Sequence, residues 1–184
     1  MTYLNQLKNT FTGDGSDNTP EGAIIRTGGK HATKTITLSA NNTSANVNIF
    51  QITGVAQVVS IHAEVVDATI LTNCTDIHFD LWDGTLATAL TKASPGGVLS
   101  GMAVGTMMIK TTVASTLLTV LDNATAAFYE VAGTKVPQAF YAVKKATADT
   151  FIRFNYTTTD APINAQIKID IVWADIDSGT ITAV

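Results

Sequence analysis

The chain has 184 residues, of which 46% are hydrophobic and only 14% charged, with a formal net charge of −4. That length lets one generous domain, or a domain with an arm, bury roughly 70% of its unfolded surface without a disulfide or metal staple. Such a weak charge excludes a surface steered toward nucleic acid or an anionic membrane, and the single cysteine excludes an intrachain disulfide.

Cys74 therefore reads as a small buried hydrophobe. In place of charge the chain uses Thr, Asn, Ser and Ala, which suit pleated, half-buried faces and turns. A surface so poor in charge is expected to be covered by neighbours. Met1–Lys8 carries no apolar signal core, and no run approaches the roughly 18 apolar residues of a membrane span, so a soluble chain without a classical signal is expected.

From Met1 to Ala32 neither the helical nor the strand period is present, and Thr12–Pro20 is a cluster of turn residues with little apolar area to bury. Residues 1–32 are read as an extended arm and 33–184 as one domain. Asp14, Ser16 and Asn18 are spaced like calcium ligands but lack the glycine and the distal glutamate of a helix-loop-helix site. Ile24 and Ile25 form the apolar patch of the arm and are candidates for docking it onto its own domain or a partner.

Strands are expected at Thr35–Ser39, Ala45–Thr53 and Val55–Val66, the last with Val59, Ile61, Ala63 and Val65 inward and Ser60, His62 and Glu64 outward. Asp76–Trp82 alternates again, with Ile77, Phe79 and Leu81 inward, and Asp83-Gly84 is a hairpin-grade turn. Leu117–Val131 fits either a helical face or two short strands, and its Thr and Val content favours strands. In Thr150–Thr157, Ile152, Phe154 and Tyr156 form the better core face. The row Ala165, Ile167, Ile169, Ile171, Trp173 is the clearest strand of all, and Asp177-Ser178-Gly179 is expected to turn the chain into a final strand. Many closely spaced strands without βαβ alternation predict an all-β antiparallel sandwich, jelly-roll-like, or a barrel.

Candidate chemistry is sparse. Asp76, His78 and Asp80 share one strand face, and His62 and Glu64 would join them if the two strands paired, giving a His-carboxylate set of the type that holds divalent metal. Alternating polar residues are also what any half-solvated sheet shows, so no metal and no other cofactor is expected. Nucleophile elbows, phosphate loops and His-Glu-x-x-His motifs are absent. Glycosidase-type pairs would have to be assembled from Asp160, Asp170, Asp175 and Asp177, which sit where turns supply aspartate anyway. Among aromatics able to stack sugars, Trp82, Tyr129, Tyr141 and Trp173, Trp173 belongs to an apolar row, whereas Trp82 lies beside a turn with the parity of the polar face and is the better contact residue. No catalytic residue is assigned.

The polar arm, followed by Ala45–Gly54, then Asp80-Leu81-Trp82-Asp83-Gly84-Thr85, then Gly97–Thr106, resembles the small Thr/Ala/Gly-rich β-proteins among the virion structural components of tailed bacteriophages. The resemblance covers roughly Ala45 to Val131 and carries no functional residue with it. It implies a non-enzymatic capsid decoration or cement protein located in the virion. Its partners would be copies of itself, a trimer among the arrangements allowed, and the major capsid or other virion proteins. Head-fibre, collar or tail-fibre attachment parts, or a carbohydrate- or receptor-binding module, are the alternatives.

Overall fold

The structure, a computed structural model, describes residues 29–38, 43–67, 74–93, 104–110, 119–121, 139–158 and 165–184. The expectations at Ile24, Ile25, Tyr129 and Asp160, and most of 117–131, lie outside the described residues. Among the described residues there are nine strands: β1 (Lys30–Thr37), β2 (Thr43–Asp67), β3 (Cys74–Trp82), β4 (Ala87–Ala89), β5 (Met107–Ile109), β6 (Thr119–Leu121), β7 (Phe140–Val143), β8 (Thr150–Thr158) and β9 (Gln166–Ala183). Among the described residues there is no helix, and every ladder is antiparallel. The main order is β1-β9-β2-β8-β3-β4, with β5 and β7 also on β2, and β6 on β5. The sheet ends on β1 and β4 rather than closing into a barrel, so the fold is all-β, antiparallel and sandwich-like.

The long strand β2 organises the sheet. Along one edge it pairs with β8 through 43–52 and then with β7 through 55–58 and β5 through 62–64; β9 runs along it from Phe50 to Asp67. β7 and β8 thus follow one another beside β2, interrupted by an excursion at 144–149. Gly54 marks the interruption: its φ of +56° is left-handed, and its carbonyl accepts a 2.9 Å bond from the Lys144 amide. The expected pair of strands on either side of Gly54 is therefore one bent strand. Likewise Asp177-Ser178-Gly179 does not end a strand. Ser178 pairs Val55 while Asp175 pairs Ala56, so Ile176 and Asp177 form a bulge inside β9.

Period-2 patterning puts most of the core where it was expected. Ile167, Ile169 and Ile171 of β9 are fully buried, as are Ile152 and Phe154 of β8, and one cluster joins them to side chains of β1, β2, β3, β5 and β7. Phe79 stands directly opposite Phe154, and their rings meet edge to face at 5.3 Å between centroids. Bulges account for the departures. An extra residue between Val58 and Ser60 moves Val58 into the core and leaves Val59 half-buried, correcting the expected inward Val59. A second bulge between Asn48 and Phe50 buries Ile49 and Phe50 in succession, which strict alternation forbids.

Candidate functional site

Two polar side-chain assemblies are built across neighbouring strands of the sheet, each around a buried aspartate. The first is on β3 and β8. A mid-strand arginine beside apolar neighbours needs a partner, and the register supplies it by setting Arg153 opposite Asp80. Arg153 Nε donates to Asp80 Oδ1 at 2.8 Å and its Nη2 to Oδ2 at 2.7 Å, a two-pronged pair that is almost wholly enclosed. The guanidinium carbon also lies 4.3 Å from the centroid of the Trp82 ring. Asp80 is consequently 4% exposed, which corrects the expectation of an outward, solvated Asp80.

The next step along the strands sets Ala87, Trp82, Phe151, Gln51 and Thr182 side by side on β4, β3, β8, β2 and β9. Trp82 and Phe151 are half-buried, and Ala87 and Thr182 are exposed. The turn after Trp82 is built as expected: Asp83 Oδ1 accepts from the amides of Thr85 at 2.9 Å and Leu86 at 2.7 Å. Those two amides, with Lys145 Nζ 3.1 Å from Oδ2, hold the Asp83 carboxyl down at about 2. Beyond the turn, Gln51 Nε2 donates to Asp149 Oδ1 at 3.3 Å.

The second assembly centres on Asp170 of β9. Thr33 on β1 and His62 on β2 are its cross-strand partners, and Lys168 is paired with Glu64 one step away. His31 Nε2 lies 3.0 Å from Asp170 Oδ1, where the Thr33 hydroxyl also donates; His62 Nε2 is 3.5 Å and Lys168 Nζ 3.6 Å from Oδ2. Lys168 also bridges to Glu64 at 2.5 Å. Burial opposes the charge on Asp170, but the bonds from Thr33 and His31 and the nearby Lys168 and His62 leave its carboxyl below the usual range. Burial lowers the His62 imidazole despite the attraction of Asp170, and Lys168, bonded to Glu64, is raised.

Three-dimensional pairing thus separates the residues that the sequence had grouped. β8 lies between β3 and β2, so His62 and Glu64 never meet Asp76, His78 and Asp80. At a bulge between Thr75 and His78, Asp76 takes a φ of +62°, and His78 Nδ1 sits 2.6 Å from the Asp76 carbonyl. Among the described residues no group of three or more His, Cys, Asp or Glu is placed to hold a metal ion.

Of the aspartates considered for glycosidase-type pairs, the three that are described each have a local setting. Asp170 is committed to the cluster above, Asp175 accepts the Gly179 amide at 2.7 Å and faces Lys30 at 3.5 Å, and Asp177 is an exposed bulge residue. Trp173 is core as expected, with Lys30 Nζ 4.8 Å over its ring, whereas Tyr141 is 55% exposed. Cys74 is buried, and burial pushes its thiol up to about 11. A scan against protein-family models finds no match, and searches of curated proteins and of solved structures return none.

Proposed function

We infer that this chain works by assembly rather than by catalysis, as a structural component of a virus particle of the tailed-bacteriophage type. Within that class it serves as a capsid decoration or cement protein that binds copies of itself and the shell; a head-fibre, collar or tail-fibre attachment part is the second reading. The observation that carries this is β7. Its buried Ala142 alternates with Tyr141 and Val143, which are 55% and 54% exposed, so an aromatic and a branched aliphatic side chain stand together on one outward strand face. Surfaces of that kind are what protein interfaces cover. The charged groups elsewhere on the sheet support the same reading, since Arg153 pairs with Asp80 and Lys168 bridges Glu64 and Asp170 within the chain.

Light scattering of the full chain, with mass spectrometry and negative-stain imaging of the source particle, tests this. The wild type is expected as an oligomer and in particles, and a Tyr141→Ser/Val143→Ser variant as smaller species that incorporate poorly. Deleting residues 1–28, which keeps β1 and its pairing with β9 whole, should leave the melting temperature nearly unchanged while weakening incorporation. A wild-type monomer absent from particles would overturn the reading.

A further inference from the structure

We propose that the row Trp82–Phe151–Gln51 is a binding site for a neutral sugar ring of an oligosaccharide, with Trp82 as the stacking platform. The site is additional to the assembly role and does not rest on it.

Its geometry follows from the register. Trp82 on β3, Phe151 on β8 and Gln51 on β2 are directly opposite one another in successive strands, so their side chains share one face. With strands about 4.8 Å apart the three positions span roughly 10 Å, the reach of one or two sugar units. A pyranose presents an apolar C–H face and a rim of hydroxyls. It therefore fits a flat aromatic surface flanked by amide, hydroxyl and carboxylate groups. Those groups are here: Gln51 stands beside Phe151, Thr182 is exposed beside Gln51, and Asp149 already accepts from the Gln51 amide.

Trp82 is also held in place before any ligand arrives. Arg153 lies over its ring at 4.3 Å, and the two bonds to the enclosed Asp80 fix Arg153 in turn. An indole already immobilised has little freedom left to lose on binding. Across from it on β4, Ala87 is exposed and carries only a methyl group, so no tall side chain from that strand stands beside the ring.

The charge on the platform itself bears on the class of ligand. Asp80 and Arg153 cancel, and both Asp80 oxygens are occupied, so the guanidinium over the ring is committed within the chain and is not offered to a phosphate, a nucleic acid or an acidic sugar. A neutral ring loses nothing to this arrangement.

The test is titration of the full chain with a panel of neutral gluco-, galacto-, manno- and chito-oligosaccharides up to about 10 mM, followed by calorimetry and tryptophan emission. Trp173 is 4% exposed, so a change in emission reports on Trp82. At least one sugar should bind, Trp82→Ala should abolish binding, and Gln51→Ala should weaken it severalfold. Because Trp82→Ala disturbs the Arg153 stack, Ala87→Leu is the second variant: it leaves the stack in place, crowds the ring, and should weaken binding about tenfold. Tyr141→Ala, on β7, should bind as the wild type does. Absence of binding across the panel overturns the proposal, as does undiminished binding by Trp82→Ala or Ala87→Leu. Saturable binding of a proline-rich peptide, with no sugar bound, would reassign the platform and equally overturn it.

Discussion

Gly54 of β2 and Gly179 of β9 meet backbone to backbone where the sheet bends. A methyl group on Gly54 would lie 3.0 Å from the Gly179 Cα and 2.5 Å from the Asp177 carbonyl oxygen, and φ at Gly54 is +56°. Gly54→Ala therefore meets two penalties. Left-handed backbone alone costs roughly 1–3 kcal/mol, and the clash is with main chain that has nowhere to rotate. The unfolding free energy from denaturant titration should fall by at least that amount, and Gly179→Ala should also be destabilising because its methyl group would strike the Val55 carbonyl. A Gly54→Ala midpoint equal to the wild type would mean that the corner is not built as described.

The enclosed pair Asp80–Arg153 yields a second expectation. Side-chain exposures are 6% for Asp80 and 11% for Arg153, so removing one partner leaves the other charged and poorly solvated. Asp80→Ala should cost about 3–5 kcal/mol. Replacing both, as Asp80→Leu/Arg153→Met, should recover most of that loss, because two apolar groups need no solvation. A double variant no more stable than Asp80→Ala would show that Arg153 contributes through Trp82 rather than through Asp80.

Strand identity and facing were legible in the sequence wherever alternation ran unbroken. Ile152, Phe154 and Tyr156, and the row from Ala165 to Trp173, lie on the buried side as their spacing requires. Alternation fails at a bulge, because one extra residue reverses parity for everything beyond it; Val59 was misplaced for that reason. Strand partners were not legible either, since pairing depends on which distant segments meet. Asp80 and Arg153 are separated by 73 residues and His31 and Asp170 by 139, so no local spacing connects them. One clue was present: Arg153 is one of only two arginines in the chain and sits in the middle of an apolar strand, where it needs a carboxylate opposite.

Burial along β9 separates two isoleucines that composition alone would treat alike. Ile169 is fully buried opposite Ala63, whereas Ile176 is 43% exposed in the bulge. Ile169→Ala removes transfer energy and leaves a cavity, at about 2–5 kcal/mol. Ile176→Ala, outside the core, should stay within about 0.5 kcal/mol of the wild type. Equal midpoints for the two variants would contradict the assignment of faces on β9.

The Asp170 cluster makes stability depend on acid. His62 faces Asp170, Lys168 and Glu64, with His31 nearby, and burial lowers its imidazole below the ordinary 6.5. The unfolded chain therefore takes up a proton near pH 6.5 that the folded chain still refuses, and stability falls as pH drops from 6.5 toward the lowered value. Asp170 acts in the same direction further down: its carboxyl is lowered from 3.8, so its contribution is present above that pH and is lost as pH falls through the folded value. Urea midpoints at intervals from pH 7.5 to 3 should show a first decline beginning near pH 6.5 and a second below 4. His62→Gln removes the first proton uptake and keeps a polar side chain on that face. The variant should be flatter than the wild type between pH 6.5 and 5, with the lower decline retained. Parallel curves in the upper window would assign that decline to groups other than His62.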